Sequence, residues 1–307
     1  MPSLHLLTRS QRKRLNEKVL KLFVEFCQEF FQFTLYDYEI EISRELLSSI
    51  FVWPHDVYVK MARQSGKTET LTLLIRCLIV FLEAILGYPL LCGIASPKGE
   101  QAKTDVDRIK KSVPILRAHF QVEDREFNEL TVRAYRFGRL VAELYRFSLA
   151  PTTTNESKTL NLLVVEESHK CDHKRRSDQL DPMLSSTNGP TWHFGVGCPV
   201  QSDYKKGCDG LFPDSKAIWI NVERVIADRR KMTEKTGNPS HLGYEALFKR
   251  LLNKYGRQNP EIRRQEIEQI TPLGRRTGVR MGTNHPRPAP GFAKERFGVA
   301  HGLHRRV

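Results

Sequence analysis

The chain of 307 residues is 40% hydrophobic and 27% charged, an ordinary globular composition with material for one large core or two small ones. Its six cysteines form no Cys-x-x-Cys pair, and "LHLL" near the N-terminus runs straight into "TRSQRKR"; a disulfide-stapled secreted domain and a signal peptide are both disfavoured, and free thiols in a reducing compartment are expected. Lys and Arg total 49 against 35 acids, a formal charge of +14, which suits a polyanionic partner, most simply nucleic acid.

In chain order, Leu15, Val19, Leu22, Phe23, Phe26 and Phe30 recur at helical spacing and predict a helix over 11–33. "LYDYEIEISRELLSSIF" (35–51) predicts a second, so residues 1–50 read as an N-terminal helical segment. "DVYVKM" (56–61) is a short β-rich strand. After it comes "ARQSGKT" (62–68), then an apolar stripe of Leu71, Leu74, Ile75, Leu78, Leu82 and Ile85. Arg76 and Glu83 interrupt that stripe, which therefore reads as a buried helix and not a membrane span.

Strand, Ser-Gly-Lys-Thr turn and buried helix follow each other in the order a phosphate-binding loop requires, because the helix N-terminus then aims unpaired N–H groups at the anion. Gly66, Lys67 and Thr68 fit the nucleotide-binding pattern, whereas its leading glycine position is Met61 and the loop carries Arg63. Taken alone, the match is either accidental or a divergent loop.

"PLLCGIAS" (89–96) is the next buried strand, and "PKGEQAKTDVDRIKKSV" (97–113) the helix after it. Residues 127 to 149 predict strands parted by a Phe-Gly-Arg turn. "TLNLLVVEESH" (159–169) is an apolar strand ending in Glu166 and Glu167; "PTWHFGVGCP" (190–199) and "KAIWINVE" (216–223) supply two more, and "HLGYEALFKRLLNKYG" (241–256) a helix. The alternation predicts an α/β nucleotide-binding domain over 51–266, with a mostly parallel central sheet flanked by helices. From Thr271 onward eight Lys or Arg face one acid and ten residues are Gly or Pro; residues 267–307 are expected to be a basic tail without a fixed fold.

Burying Leu162 to Val165 puts the two acids at the carboxyl end of a strand, the binding edge of an α/β sheet. A magnesium–nucleotide site needs one carboxylate to hold the ion and another to orient the attacking water, and adjacent strand residues face opposite ways. A solvated strand-to-loop junction is the plainer reading of such a pair; the Gly-Lys-Thr turn upstream favours a nucleotide hydrolase. Ala62, Arg63, Gln64, Ser65, Gly66, Lys67 and Thr68 are then expected to bind ATP, Lys67 meeting the β/γ oxygens. Thr68 and Glu166 would hold Mg2+, and Glu167 would polarise the lytic water. "SHKCDH" (168–173) lacks a second ligand pair for zinc and reads as polar loop.

Four stretches together resemble the ATPase domain of phage terminase large subunits, the DNA-packaging motors: "ARQSGKT" (62–68), "GIASPKGEQAK" (93–103), "NESKTLNLLVVEESH" (155–169) and "YGRQNPEIRRQ" (255–265). The phosphate loop and acidic strand are shared with helicase-like motors; the ensemble points to terminases. The resemblance implies that Arg63 stabilises transition-state charge from within the same chain. It implies that "GVGCP" (195–199), with Gly197 and Cys198, couples hydrolysis to movement, although that family carries Thr or Ser near Cys198. Its adenine-contacting Gln falls near Glu39. It also implies double-stranded DNA, a portal protein and a terminase small subunit as partners, a homo-oligomeric ring as the active form, no membrane, and the host cytoplasm as location.

Terminase large subunits also carry a nuclease built on several acids around two metals. Here the acids after Tyr255 are Glu261, Glu266, Glu268 and Glu295, so the motor half alone is expected, without DNA cleavage. A helicase-like nucleic-acid translocase, or a decayed motor that only binds nucleic acid, are the alternatives.

Overall fold

A computed structural model of the chain describes residues 4–128, 131–155, 157–197 and 202–255. All fall within one compact unit, Met1–Thr271; the tail expected over 267–307, Cys198 and the quoted segment 255–265 beyond Tyr255 lie outside the described residues.

Two helices open the chain, α1 (Arg9–Phe31) and α2 (Asp37–Phe51). Strand β1 (Asp56–Met61) leads into α3 (Lys67–Leu86), and β2 (Leu90–Ser96) into α4 (Gly99–Lys110) and α5 (Val113–Phe120). A meander follows, β3 (Val122–Asn128), β4 (Thr131–Arg136) and β5 (Arg139–Ser148), then β6 (Leu162–Val165), α6 (His173–Gln179) and β7 (Thr191–Gly195). The described chain closes with α7 (Asp203–Cys208), β8 (Ser215–Ile220), α8 (Val222–Thr236) and α9 (Gly243–Tyr255).

Among the described residues the strands form one sheet in the order β3-β4-β5-β2-β6-β7-β1-β8. From β5 to β8 every neighbour pair is parallel, while β4 runs antiparallel to β3 and β5. The expected α/β sheet is therefore present, with an antiparallel hairpin extension on one side. Parallel strands covered on both faces read as near-continuous apolar runs, which is why β6 is Leu-Leu-Val-Val.

Period-two alternation divides that run between two cores. Leu162, Val164, Trp192 and Phe194 join the larger core with α1, α2 and α3; Leu163 and Val165 join a smaller one with Tyr145, Phe147, Leu180 and Met183. Helix α3 is buried on nearly all sides because α1 and α2 pack outside it, and Gly87, at φ 82°, ends it in a left-handed cap.

Three boundaries differ from the sequence expectation. The helix expected over 97–113 ends at Lys110, and a second one, with Pro114 in its first turn, begins at Val113. The strand expected to reach residue 223 stops at Ile220, since Asn221 accepts from Arg224 N and caps α8. The apolar strand of 159–169 is ordered as strand over Leu162–Val165 alone, as the chain turns out of the sheet at the acids.

Candidate active site

Strand β1 lies between β7 and β8, and Ala62 N donates to Ile220 O at 3.0 Å, so the sheet carries the chain into the loop at 62–66. Ser65 Oγ donates to Ala62 O at 2.7 Å and closes the turn. Gln64 and Gly66 take left-handed backbone, φ 57° and 94°, and α3 begins at Lys67 with its N-terminus at the loop. Strand, tight loop and helix N-terminus thus follow each other in an arrangement suited to an anion.

The loop rests on helices from both ends of the described chain. Tyr38 of α2 donates from its hydroxyl to Ser65 O at 2.7 Å, and Tyr244 of α9 donates to Arg63 O at 3.1 Å. The guanidinium of Arg229 lies over the rings of Tyr36 and Tyr244, at 4.9 and 4.6 Å. Beneath the loop, Glu39 is fully buried, and its Oε2 accepts from Tyr36 N at 3.0 Å. A Cβ on Gly66 would stand 2.5 Å from Glu39 Oε1, so glycine is required there by both space and φ. Burial raises the Glu39 pKa to about 7. Glu39, expected to meet adenine, has its carboxyl buried beneath Gly66.

Across the cleft, Glu166 N donates to Ala95 O at 2.9 Å, which holds the first acid in line with β6. Glu167 turns out at φ 50°, a left-handed conformation uncommon for a non-glycine residue. The two acids do not part to opposite faces as a continued strand would send them. Lys67 Nζ meets both, at 3.6 Å from Glu166 Oε2 and 3.2 Å from Glu167 Oε1. Burial acts to lower the Lys67 pKa, but the two carboxylates outweigh it and the pKa is raised. Burial raises the Glu166 pKa, against the pull of Lys67. For Glu167 burial is overcome by Lys67 and Lys170, and the pKa falls to about 2.

Sequence reasoning missed several groups brought here by packing. Asp105 of α4 is buried, and burial together with repulsion from Glu166 raises its pKa to about 7. His169 Nε2 lies 3.5 Å from Glu167 Oε2, and His169 Nδ1 accepts from Val196 N at 3.4 Å. The segment that begins at Val196 and includes the buried Gly197 therefore touches the acid through one imidazole. Arg108, also from α4, lines a cleft of about 440 Å3 together with Arg63, Lys67, Thr68, Glu69, Glu167 and Val196.

Thr68 and the buried Glu166 offer candidate oxygen ligands for a magnesium ion. Glu166 Oε1 is buried and makes no hydrogen bond with the described residues, and Thr68 lines the cleft at the start of α3. A hard cation bound by one or two protein oxygens and substrate phosphates suits that donor set. Among the described residues no group of three or more His, Cys, Asp or Glu is placed to hold a metal.

No family model matches the chain, and no curated protein matches it. Solved structures do. A mutant of the Thermus phage P74-26 large terminase ATPase domain superposes with a TM-score of 0.55 at 16% identity, over 78% of this chain and 95% of that one. The large terminase of bacteriophage HK97 gives 0.54 at 14% identity, over 82% of this chain and 54% of that one. The large terminase of a thermophilic bacteriophage, in complex with ATP-gamma-S, gives 0.51 at 10% identity, over 76% and 51%. This chain thus spans about half the length of those two terminases and nearly all of the isolated ATPase domain. Its fold is that of phage large-terminase ATPase domains.

Proposed function

We propose that this chain is the ATP-hydrolysing motor domain of a phage terminase large subunit, driving translocation of double-stranded viral DNA during packaging. The observation that carries the reading is Lys67 held between Glu166 and Glu167, at 3.6 and 3.2 Å, at the mouth of a phosphate loop in that fold.

In this reading the backbone of Arg63 to Thr68 receives the phosphates, and Lys67 leaves the two acids for the β/γ oxygens. Its departure frees Glu167 Oε1, which orients a water against the γ-phosphorus and takes up the proton as the β–γ bridge breaks and ADP leaves. Mg2+, held by Thr68 and Glu166, would supply Lewis-acid neutralisation of the phosphate oxygens. Arg63 lines the same cleft and would add positive charge in the transition state. His169 ties Glu167 to Val196, which supports the segment through Gly197 and Cys198 as the coupling element. Duplex DNA would be gripped through its phosphates. Portal protein, small subunit, a ring of copies and the host cytoplasm follow from the same reading; among the described residues no helix is long and apolar enough to cross a membrane.

The test is magnesium-dependent ATP turnover by the purified chain, with and without DNA. Turnover stimulated more by duplex than by single-stranded DNA is expected. Stimulation by single strands alone would instead favour a helicase-like translocase, and absence of turnover with DNA binding intact would overturn the motor reading.

A further inference from the structure

Lys67 is the cation a phosphate loop offers to a nucleotide, yet here its charge is already matched by two carboxylates. A nucleoside triphosphate carries roughly four negative charges, of which a bound Mg2+ would offset about two, and Glu167 and Glu69 also line the cleft. Further positive charge is needed to hold that ligand, and the loop itself adds Arg63 alone.

Arg108 meets the need from outside every motif. It lines the cleft, is solvent-exposed, and makes no salt bridge among the described residues. Its backbone is nonetheless fixed. The buried Arg76 donates from Nη2 to Arg108 O at 2.7 Å, and its Nη1 lies 3.8 Å from Glu69 Oε1 in the first turn of α3. Arg76 itself stacks over Phe31, 5.1 Å from the ring centroid. One buried guanidinium thus clamps the turn that carries Arg108 to the helix that begins with Lys67.

The sheet order says from which side Arg108 arrives. Helix α4 packs on β2 and β5, and β2 adjoins β6, whose end carries Glu167. The tyrosines of α2 and α9 brace the loop at 63–65, after β1 and beside β8. A triphosphate lying along the loop therefore has Arg108 at its Glu167 end, where the terminal phosphate must sit to be attacked.

We propose that Arg108 binds the γ-phosphate and makes the site prefer nucleoside triphosphate over diphosphate. A planar guanidinium can take two phosphate oxygens at once, which a lysine cannot reproduce. The inference rests on the ATPase reading of the same cleft.

The experiment measures, by calorimetry with Mg2+, the affinities of the full chain for adenosine 5′-(β,γ-imido)triphosphate and for ADP, in wild type, Arg108→Ala, Arg108→Lys and Lys67→Ala. Arg108→Ala should weaken the triphosphate by about 10- to 100-fold and ADP by less than about 3-fold, with Arg108→Lys between. Lys67→Ala should weaken both. Equal losses for the two nucleotides in Arg108→Ala, or no loss, would overturn the assignment while leaving the ATPase reading intact. A wild-type chain that binds neither nucleotide would overturn both. Unchanged thermal unfolding of Arg108→Ala is expected, because the side chain is exposed and the clamp uses only its carbonyl.

Discussion

At the scale of single residues, the site is built around one lysine and two acids with unequal surroundings. Glutamine keeps the shape of glutamate and removes its charge, so Glu167→Gln is expected to bind ATP and hydrolyse it at least ~100-fold more slowly, the usual loss of a general base. Turnover at the wild-type rate would remove Glu167 from its role. Lys67→Ala should lose binding or turnover altogether. Glu39 carries a different consequence. Its folded pKa, about 7, lies above the ordinary 4.5, so the folded state binds the extra proton. The stability this contributes is fully present below pH 4.5 and is lost as pH rises towards 7. Glu39→Gln keeps the acceptor for Tyr36 N and removes the titration. Chemical denaturation should show the variant more stable than wild type at pH 8, by on the order of 2 kcal/mol, with the difference shrinking towards pH 5. An identical gap at both pH values would show that Glu39 does not titrate in that window.

At the scale of elements, the hairpin between β4 and β5 conflicts with its own residues. Phe137 and Gly138 both have positive φ, 50° and 76°, the pattern of the two-residue turn whose twist matches paired strands. That turn favours Asn-Gly. Phe137 carries a Cβ into the left-handed region, and it is 79% exposed, so it gains nothing by burial. Phe137→Asn should therefore stabilise the fold by about 0.5–1 kcal/mol in urea titrations and leave ATP turnover unchanged. Destabilisation would mean that the ring packs against something the chain acquires in solution. The end of α8 shows the opposite, local agreement: Asn221 begins the helix and Gly237, at φ 71°, ends it.

At the scale of the whole molecule, charge is distributed unevenly along the chain. Residues 271–307 hold eight cations and one acid, half of the formal excess of +14. If they meet DNA phosphates, their deletion should reduce the slope of log affinity against log salt, by up to about 0.9 for each phosphate no longer neutralised. Binding titrations of the full and shortened chains between roughly 50 and 200 mM salt would measure it, and equal slopes would place the DNA-binding surface in the remaining residues. ATP turnover without DNA should be the same in both, because the cleft and the tyrosines that brace it lie within residues 36–244.

How much of the molecule was legible beforehand depends on the range of each interaction. The loop that carries Lys67 and Thr68 and the strand that ends in Glu166 and Glu167 could be read directly, because a strand–turn–helix order and an apolar run ending in acids are local patterns. The alternation of strands and helices was equally local, and so was the burial of α3. The sheet order was not: β7 enters between β6 and β1, and nothing in the spacing of those segments says so. Nor could spacing show that Tyr244 would brace Arg63 from 181 residues away, that Glu39 would be sealed under Gly66, or that Arg108 would enter the cleft. Such contacts leave no periodicity, because they are set by which helices the sheet order brings to one edge. Sequence determined which residue types stand at the loop and at the strand end; tertiary packing decided what surrounds them and hence their charge states.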